Sequence, residues 1–165
     1  LASLIQTLFQ RTQTRAFSGG TLAAKATSDP DLKTTTTINF AIDGKLYIKT
    51  AAATIDLSGV ASAATNVAQA AGTYCAYLVV LNASGTFDVI KGTDASTAAL
   101  ALAATPAVPA SSCPVGILVV ANTTNAFTLG TTNSDATGVT WTCYDICDIP
   151  TGYGTSSVYK NALGA

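Results

Sequence analysis

The chain has 165 residues, 48% of them apolar and only 10% charged, with eight Lys/Arg, nine Asp, and no Glu, His or Met. Without His or Glu, Ser-His-Asp and Cys-His catalysis is excluded, and acid/base chemistry falls to Asp, Lys, Tyr and Cys. Eight scattered cations make no basic stripe for nucleic acid, and no run approaches the ~20 apolar residues that span a bilayer.

A length of this order suits one domain, or one domain with an arm, and leaves room for a sizeable core. So low a charge is unusual for a free monomer, whose solubility normally rests on a charged surface. It suits a protein covered by copies of itself or by a larger assembly. A stable β domain with a Thr/Ser/Asn surface is the plainer alternative.

Residues 1–17, LASLIQTLFQRTQTRAF, place Leu1, Leu4, Ile5, Leu8 and Phe9 on one helical face, with Arg11 and Arg15 a turn apart after them. Cations in a last turn suit the negative end of a helix dipole. This predicts an amphipathic helical arm, broken by Gly19-Gly20 and too marginal to stand without a partner surface. Those seven residues are the candidate interaction site. The arm packs on its own β body or docks on a neighbour; in the second case, deleting residues 1–20 leaves a folded body that no longer assembles. The opening carries no basic n-region before its apolar residues, so it does not read as a secretory signal. Initiator Met is rarely trimmed before Leu, so Leu1 reads as following processing or as the point where numbering starts.

Residues 18–33 read as a linker with a turn at Asp29-Pro30-Asp31. Two carboxylates without further oxygen donors are a poor calcium set. Residues 34–50, TTTTINFAIDGKLYIKT, read as a hairpin about Asp43-Gly44. A two-residue loop would put Ile38 and Phe40 on one face and Leu46 and Ile48 on the other. A three-residue loop, Ile42-Asp43-Gly44, pairs Phe40 with Leu46 and Ile38 with Ile48 and gathers all four on one face. Register follows the buried face, so the expectation is a type I turn with Gly44 in a bulge.

A short strand is expected near 54–57, followed by an irregular or weakly helical connection. YCAYLVVL, 74–81, is apolar on both faces, as a central strand should be. A four-residue turn, Asn82-Ala83-Ser84-Gly85, then sets Leu81 against Thr86, Val80 against Phe87 and Leu78 against Val89. ALALAATPAVPASS, with Pro106 and Pro109, reads as an extended connection. CPVGILVVA, 113–121, is a second buried strand, followed by a turn at 122–125 and a short strand through Phe127-Thr128-Leu129. In VTWTCYDI, Val139, Trp141 and Cys143 share one face and Thr140, Thr142 and Tyr144 the other. Strands at this spacing predict a mainly β protein, an antiparallel sandwich or barrel of jelly-roll-like type with the N-terminal helical arm. The organisation is an arm and linker over 1–33, the β body over 34–150 and a Gly/Ser-rich tail over 151–165.

No catalytic, cofactor-binding or metal-binding set emerges. Asp145 and Asp148 flank a strand end, and no Gly-rich phosphate loop is present. Cys143 and Cys147 lack the spacing of a zinc knuckle. Free thiols are preferred for all four cysteines, with Cys75–Cys113 and Cys143–Cys147 as the candidate disulfides.

TTTTINFAIDGKLYIKTAAA resembles a segment of tailed-phage virion structural proteins, in which a Thr-rich lead-in precedes an I-D-G turn and a Lys-containing return strand. AGTYCAYLVVLNASGTFDVIKG and PAVPASSCPVGILVVANTTNAFTLGTTNSDATGVTWT extend the resemblance through about residue 142; the first 33 residues are not covered. The resemblance implies a non-enzymatic capsid decoration or cement protein. Its partners would be the major capsid protein and copies of itself, as a homotrimer on the virion surface after assembly in the host bacterial cytoplasm, with no nucleic acid, membrane or cofactor. A tail, fibre or baseplate component is the alternative. A receptor- or glycan-binding module using Tyr47, Tyr153 and Tyr159 as a stacking platform is a further one.

Overall fold

The computed structural model describes residues 14–58 and 67–147. They form three antiparallel sheets: β1 (Arg15–Ala16), β4 (Ile38–Ile42) and β5 (Lys45–Lys49) in the order β1-β4-β5; β2 (Leu22–Ala24) with β3 (Leu32–Thr34); and β7-β6-β8-β9, built from β6 (Thr73–Asn82), β7 (Phe87–Lys91), β8 (Ser112–Asn122) and β9 (Val139–Asp145). The sheets are not closed into a barrel.

The centre is the β6–β8 pair, running from Thr73 opposite Asn122 to Asn82 opposite Ser112. Both strands are apolar on both faces, so each face needs a cover. On one face Tyr77, Val79, Leu81, Leu118 and Val120 pack with Ile38 and Phe40 of β4, Leu22, Leu32 and Phe127. On the other, Ala76, Leu78, Val80, Ile117 and Val119 meet Ala101 and Leu102 of a short helix, α1 (Ala98–Ala103). The extended reading of this stretch is corrected: Ala and Leu favour helix, and Thr97 caps it, its hydroxyl accepting from the Leu100 amide at 3.2 Å. Pro106 and Pro109 follow the helix rather than preventing it.

Pro114 lies within β8 because the ladder slips there. Val79 pairs with Gly116 and Val80 with Pro114, leaving Val115 as the extra residue of a bulge. On β9, Val139, Trp141 and Cys143 pack towards the larger core, as the alternation indicates, and Tyr144 turns to the α1 side.

Both hairpin registers differ from expectation. At Asp43-Gly44, Ile42 pairs directly with Lys45, Phe40 with Tyr47 and Ile38 with Lys49. The loop is the two-residue one, with φ of +50° at Asp43 and +78° at Gly44, the I′ pattern that matches strand twist. Leu46 and Ile48 therefore leave the core and stand 71% and 72% exposed. Tyr47 takes the inner face, stacked on Phe40 at 5.4 Å. Lys49 also lies inward, with its ammonium 5.4 Å from the Phe87 ring centroid.

At the second hairpin, Leu81 faces Phe87 and Val79 faces Val89, one residue from the expected register. Asn82 closes this loop: its amide donates to the Thr86 carbonyl at 3.1 Å, and its side-chain oxygen accepts from the amides of Ser84 and Thr86, both at 3.0 Å. Gly85, at φ +74°, takes the bulge position. The type I turn with a Gly bulge thus belongs to this hairpin.

The linker reading of 18–33 is also corrected. Leu22 and Leu32 are buried, and the β2–β3 ladder joins them across the Asp29–Asp31 turn, where the Asp29 carboxylate accepts from the Asp31 amide at 2.9 Å. Leu32 also bridges to Ile55, which forms an isolated pairing instead of a strand over 54–57. Phe127 likewise makes a single bridge, to Gln69.

Gln69 is fully buried. Its side-chain NH2 donates to the carbonyls of Thr73 (2.9 Å) and Val120 (3.1 Å), while its oxygen accepts from the Tyr77 hydroxyl at 3.3 Å. Backbone bonds to Phe127 complete the arrangement. Gln69→Ala would leave several buried polar groups unpaired, at about 2–4 kcal/mol by the usual cost of such groups. Urea unfolding should show an unfolding free energy lower by that amount, with the midpoint falling by that energy divided by the m-value; an unchanged midpoint would remove Gln69 from the framework.

Candidate functional site

Of the seven candidate interaction residues, Leu1, Leu4, Ile5, Leu8, Phe9 and Arg11 lie outside the described residues. Arg15 lies inside them and is not helical. It is in β1, opposite Ala41, with its guanidinium 5.1 Å from the centroid of the Phe17 ring. No N-terminal helical arm is shown, and a helix reaching residue 17 is replaced by strand. The reason is local: Ala16 is buried against β4, and Thr14 accepts from the Asp43 amide at 3.0 Å. Deleting residues 1–20 would therefore remove a strand and a core residue as well as any arm.

The β1-β4-β5 sheet has two unlike faces. Ala16, Phe40 and Tyr47 form an inward cross-strand row. Arg15, Ala41 and Leu46 form the opposite row, followed by Asn39 and Ile48; within it Ala41 is buried while Leu46 and Ile48 are exposed. β5 is an edge strand, so its apolar outward residues sit beside unpaired backbone groups. The expectation that Leu46 and Ile48 were core concealed this face.

A cavity of about 580 Å³ lies between β5 and the β6–β7 turn, lined by Lys49, Asp56, Asn82, Ser84, Thr86 and Asp88 among others. Its polar groups are engaged locally. Asp56 accepts from the Ser58 amide and hydroxyl, Asp88 accepts from the Val89 amide, and Asn82 closes its own turn. Tyr47 offers no open stacking platform, because Phe40 stacks on it and the Lys45 ammonium is 5.6 Å from its centroid. Tyr153 and Tyr159 lie outside the described residues.

Asp29 and Asp31 are held by the Lys25 ammonium, at 3.1 and 3.5 Å. The bond to Asp29 is the main cause raising the Lys25 pKa, and the Asp31 amide is the main cause lowering that of Asp29. Asp31 also accepts from the Leu57 amide at 3.0 Å, tying the turn to the buried segment around Ile55 and Leu57. Among the described residues, no group of three or more His, Cys, Asp or Glu is placed to hold a metal ion.

The four cysteines are unpaired. The Cys75–Cys113 candidate fails on register, since Cys75 faces Val120 while Cys113 faces Leu81 at the other end of β6. Burial pushes the thiols of Cys75 and Cys143 up to about 11 and that of Cys113 to about 12, which keeps them protonated at neutral pH. Burial likewise raises the Tyr77 phenol. Sequence reasoning missed a neighbouring pair, Lys91 and Asp94, which form an ion pair beside Cys75. Burial works against the Asp94 charge, but bonds from the Ala70 amide (2.8 Å) and from Lys91 outweigh it, and its pKa falls below 3.8. Three-residue spacing of opposite charges after a strand was the available signal.

Searches of protein-family models, curated proteins and solved structures return no match.

A carboxylate depressed on folding stabilises the fold above its unfolded pKa, and that stability is lost as pH falls through the folded value. Asp94→Asn should therefore cost about 1–2 kcal/mol at neutral pH, and the gap to the unaltered protein should close below about pH 4. Denaturation curves across pH check this; a constant gap contradicts it. With a thiol reagent, half-buried Cys147 should react first, and Cys75 and Cys113 only as fast as the fold opens. Rapid labelling of Cys75 in native protein would contradict the placement of β6.

Proposed function

We propose that this chain is a non-enzymatic structural subunit of a tailed-phage virion: a capsid decoration or cement protein that bridges neighbouring capsomers as a homotrimer. The observation that carries the reading is where the few charges go. Seven aspartates among the described residues, Asp29, Asp31, Asp56, Asp88, Asp94, Asp135 and Asp145, accept hydrogen bonds from the protein's own groups. Lys25 and Lys91 are engaged with three of them. Three of these aspartates, Asp56, Asp135 and Asp145, are exposed, and the surface around them is largely Thr, Ser, Asn, Ala and Gly, with exposed apolar side chains at Leu46, Ile48, Leu100 and Val108. Protein interfaces are depleted in charge at their centres, whereas a free monomer relies on projecting charge. A charge-poor surface suits a subunit that works covered.

The antiparallel sheets facing one another across a shared core read as an open sandwich, a scaffold suited to passive load-bearing. The resemblance of the two hairpins and of β8 to virion proteins gives the assembly its kind. The work done would be mechanical, with buried area between copies and capsid resisting internal pressure.

Quantitative mass spectrometry of purified particles tests this. Hundreds of copies per particle, in fixed ratio to the major capsid protein, are expected. A few dozen or fewer would move the chain to tail, fibre or baseplate, and absence from particles would overturn the virion reading.

A further inference from the structure

Open strand edges invite pairing with another chain unless charge, Pro, a bulge or a cover guards them. β1, with two residues, is too short to offer a ladder. On β5, Lys45 and Lys49 would face each other in any two-fold pairing about Tyr47. On β7, the Asp88 carboxylate takes the Val89 amide at 2.8 Å. The Leu22 and Ala24 amides of β2 turn to the Asp145 and Cys143 side chains, and the Leu32 and Thr34 amides of β3 donate to the Ile55 and Ala52 carbonyls. β9, the outermost strand of the central sheet, has none of these guards. Its seven residues, VTWTCYD, hold no Pro or Lys, and the one charge, Asp145, stands at the end and accepts from the Leu22 amide at 3.0 Å.

Two bonds fix which backbone groups of β9 point away from β8. The Thr123 amide donates to the Gly138 carbonyl at 2.8 Å and the Ile146 amide to the Val115 carbonyl at 3.0 Å. Between them the register runs unbroken from Asn122 opposite Val139 to Gly116 opposite Asp145. Bonded and non-bonded pairs alternate in an antiparallel ladder. Thr140, Thr142 and Tyr144 are therefore bonded to β8, while Trp141, Cys143 and Asp145 turn their N–H and C=O groups outward. Among the described residues, no backbone group bonds to those of Trp141 or Cys143 on that side. β2 does not fill the space: the Leu22 side chain lies over Gly116 of β8, 2.7 Å from an added Cβ, on the inner face of the sheet.

We propose that β9 docks on the β9 of a second copy of this chain, antiparallel about a two-fold axis at Thr142. In this register outward groups meet outward groups, and Trp141 of each copy exchanges both backbone bonds with Cys143 of the other. Thr142 faces Thr142, Thr140 faces Tyr144 and Asp145 faces Val139, so no like charges meet. β9 is thus complementary to itself, which is what selects a second copy as the occupant. An isologous contact of this kind joins two subunits; within the virion reading it links neighbouring trimers and does not build one. Seven residues a side fall short of the about 20–30 of a standard interface. The contact is therefore weak between free subunits and gains from the high local concentration of an assembly. It goes beyond the virion reading and stands or falls separately from it.

The test is disulfide trapping of the full chain carrying Cys147→Ser, with Thr142→Cys in one variant and Thr140→Cys in another. Both threonines are exposed, so the fold should tolerate either change. Residues opposed in a non-bonded pair have Cα atoms about 4.5 Å apart, inside the span of a disulfide. The two copies of residue 140 would instead be offset by about 13 Å along the strands, beyond the ~7 Å limit. Under mild oxidation, Thr142→Cys should give a covalent dimer roughly ten-fold faster than Thr140→Cys, and the Cys147→Ser parent none. Equal rates, dimer from the parent, or no dimer would overturn the proposal. A 140–142 product from the two variants mixed would put the axis at Trp141 and overturn the register. In the unaltered protein, amide exchange at Trp141 and Cys143 should slow several-fold relative to Thr140 and Thr142 as concentration rises. Exchange indifferent to concentration would overturn the edge contact. Particle composition bears on none of these outcomes.

Discussion

The rest of the molecule depends on one requirement: β6 and β8 pair along ten residues of β6 and are apolar on both sides. A ladder of this kind cannot face water on either side without exposing a row of Val, Leu and Ile. Two separate covers follow. The small β1-β4-β5 and β2-β3 sheets close one side around Phe40, Leu32 and Phe127, and α1 closes the other with Ala101 and Leu102. The covers differ in consequence. A six-residue helix buries its apolar side and ends, whereas a three-stranded sheet has a second face, and that is where Leu46 and Ile48 emerge.

Polar groups then fix how the covers sit. Gln69 ties β6, β8 and Phe127 together inside the core, and Asp31 links the β2–β3 turn to Leu57. The Leu22 amide reaches Asp145 at 3.0 Å, joining β2 to β9, while Gly116 leaves room for the Leu22 side chain, which would lie 2.7 Å from an added Cβ. With only 10% of residues charged, the surface is mostly hydroxyls, amides and methyls, and its exposed carboxylates, Asp56, Asp135 and Asp145 among them, are hydrogen-bonded to the protein's own groups. That is the physical argument behind the proposed covered life in an assembly.

The long strands were legible in the sequence because the apolar stretches 74–81 and 113–121, the second broken only by Pro114 and Gly116, admit few other readings when bounded by Asn, Ser and Thr. Registers were not. In the second hairpin the face test had no power, since β6 is apolar on both sides and a one-residue slip still opposes apolar to apolar. In the first, the test assumed that large apolar residues share the buried face. The positive-φ preference of Asp-Gly won instead, and Tyr47 with the stem of Lys49 supplied the inner surface. β1, β2 and β3 were missed because strands of two or three residues contribute only one or two buried side chains each, too few for a period to show. α1 was hidden by two prolines lying just beyond it. The candidate interaction residues were only partly placed: Arg15 belongs to a strand, and Leu46 and Ile48, expected in the core, stand exposed on the outer face of the small sheet.

Native-state hydrogen exchange tests the central claim, that the two-sided β6–β8 ladder is the framework on which the other elements rest. Core elements exchange only through global opening, and peripheral ones through local opening. Amides of Tyr77, Val79, Leu118 and Val120 should be the slowest, with protection equal to the global unfolding free energy, while those of β2, β3 and β5 exchange sooner. Protection in β4–β5 equal to or above that of β6–β8 would contradict the claim and make the smaller sheet the framework instead.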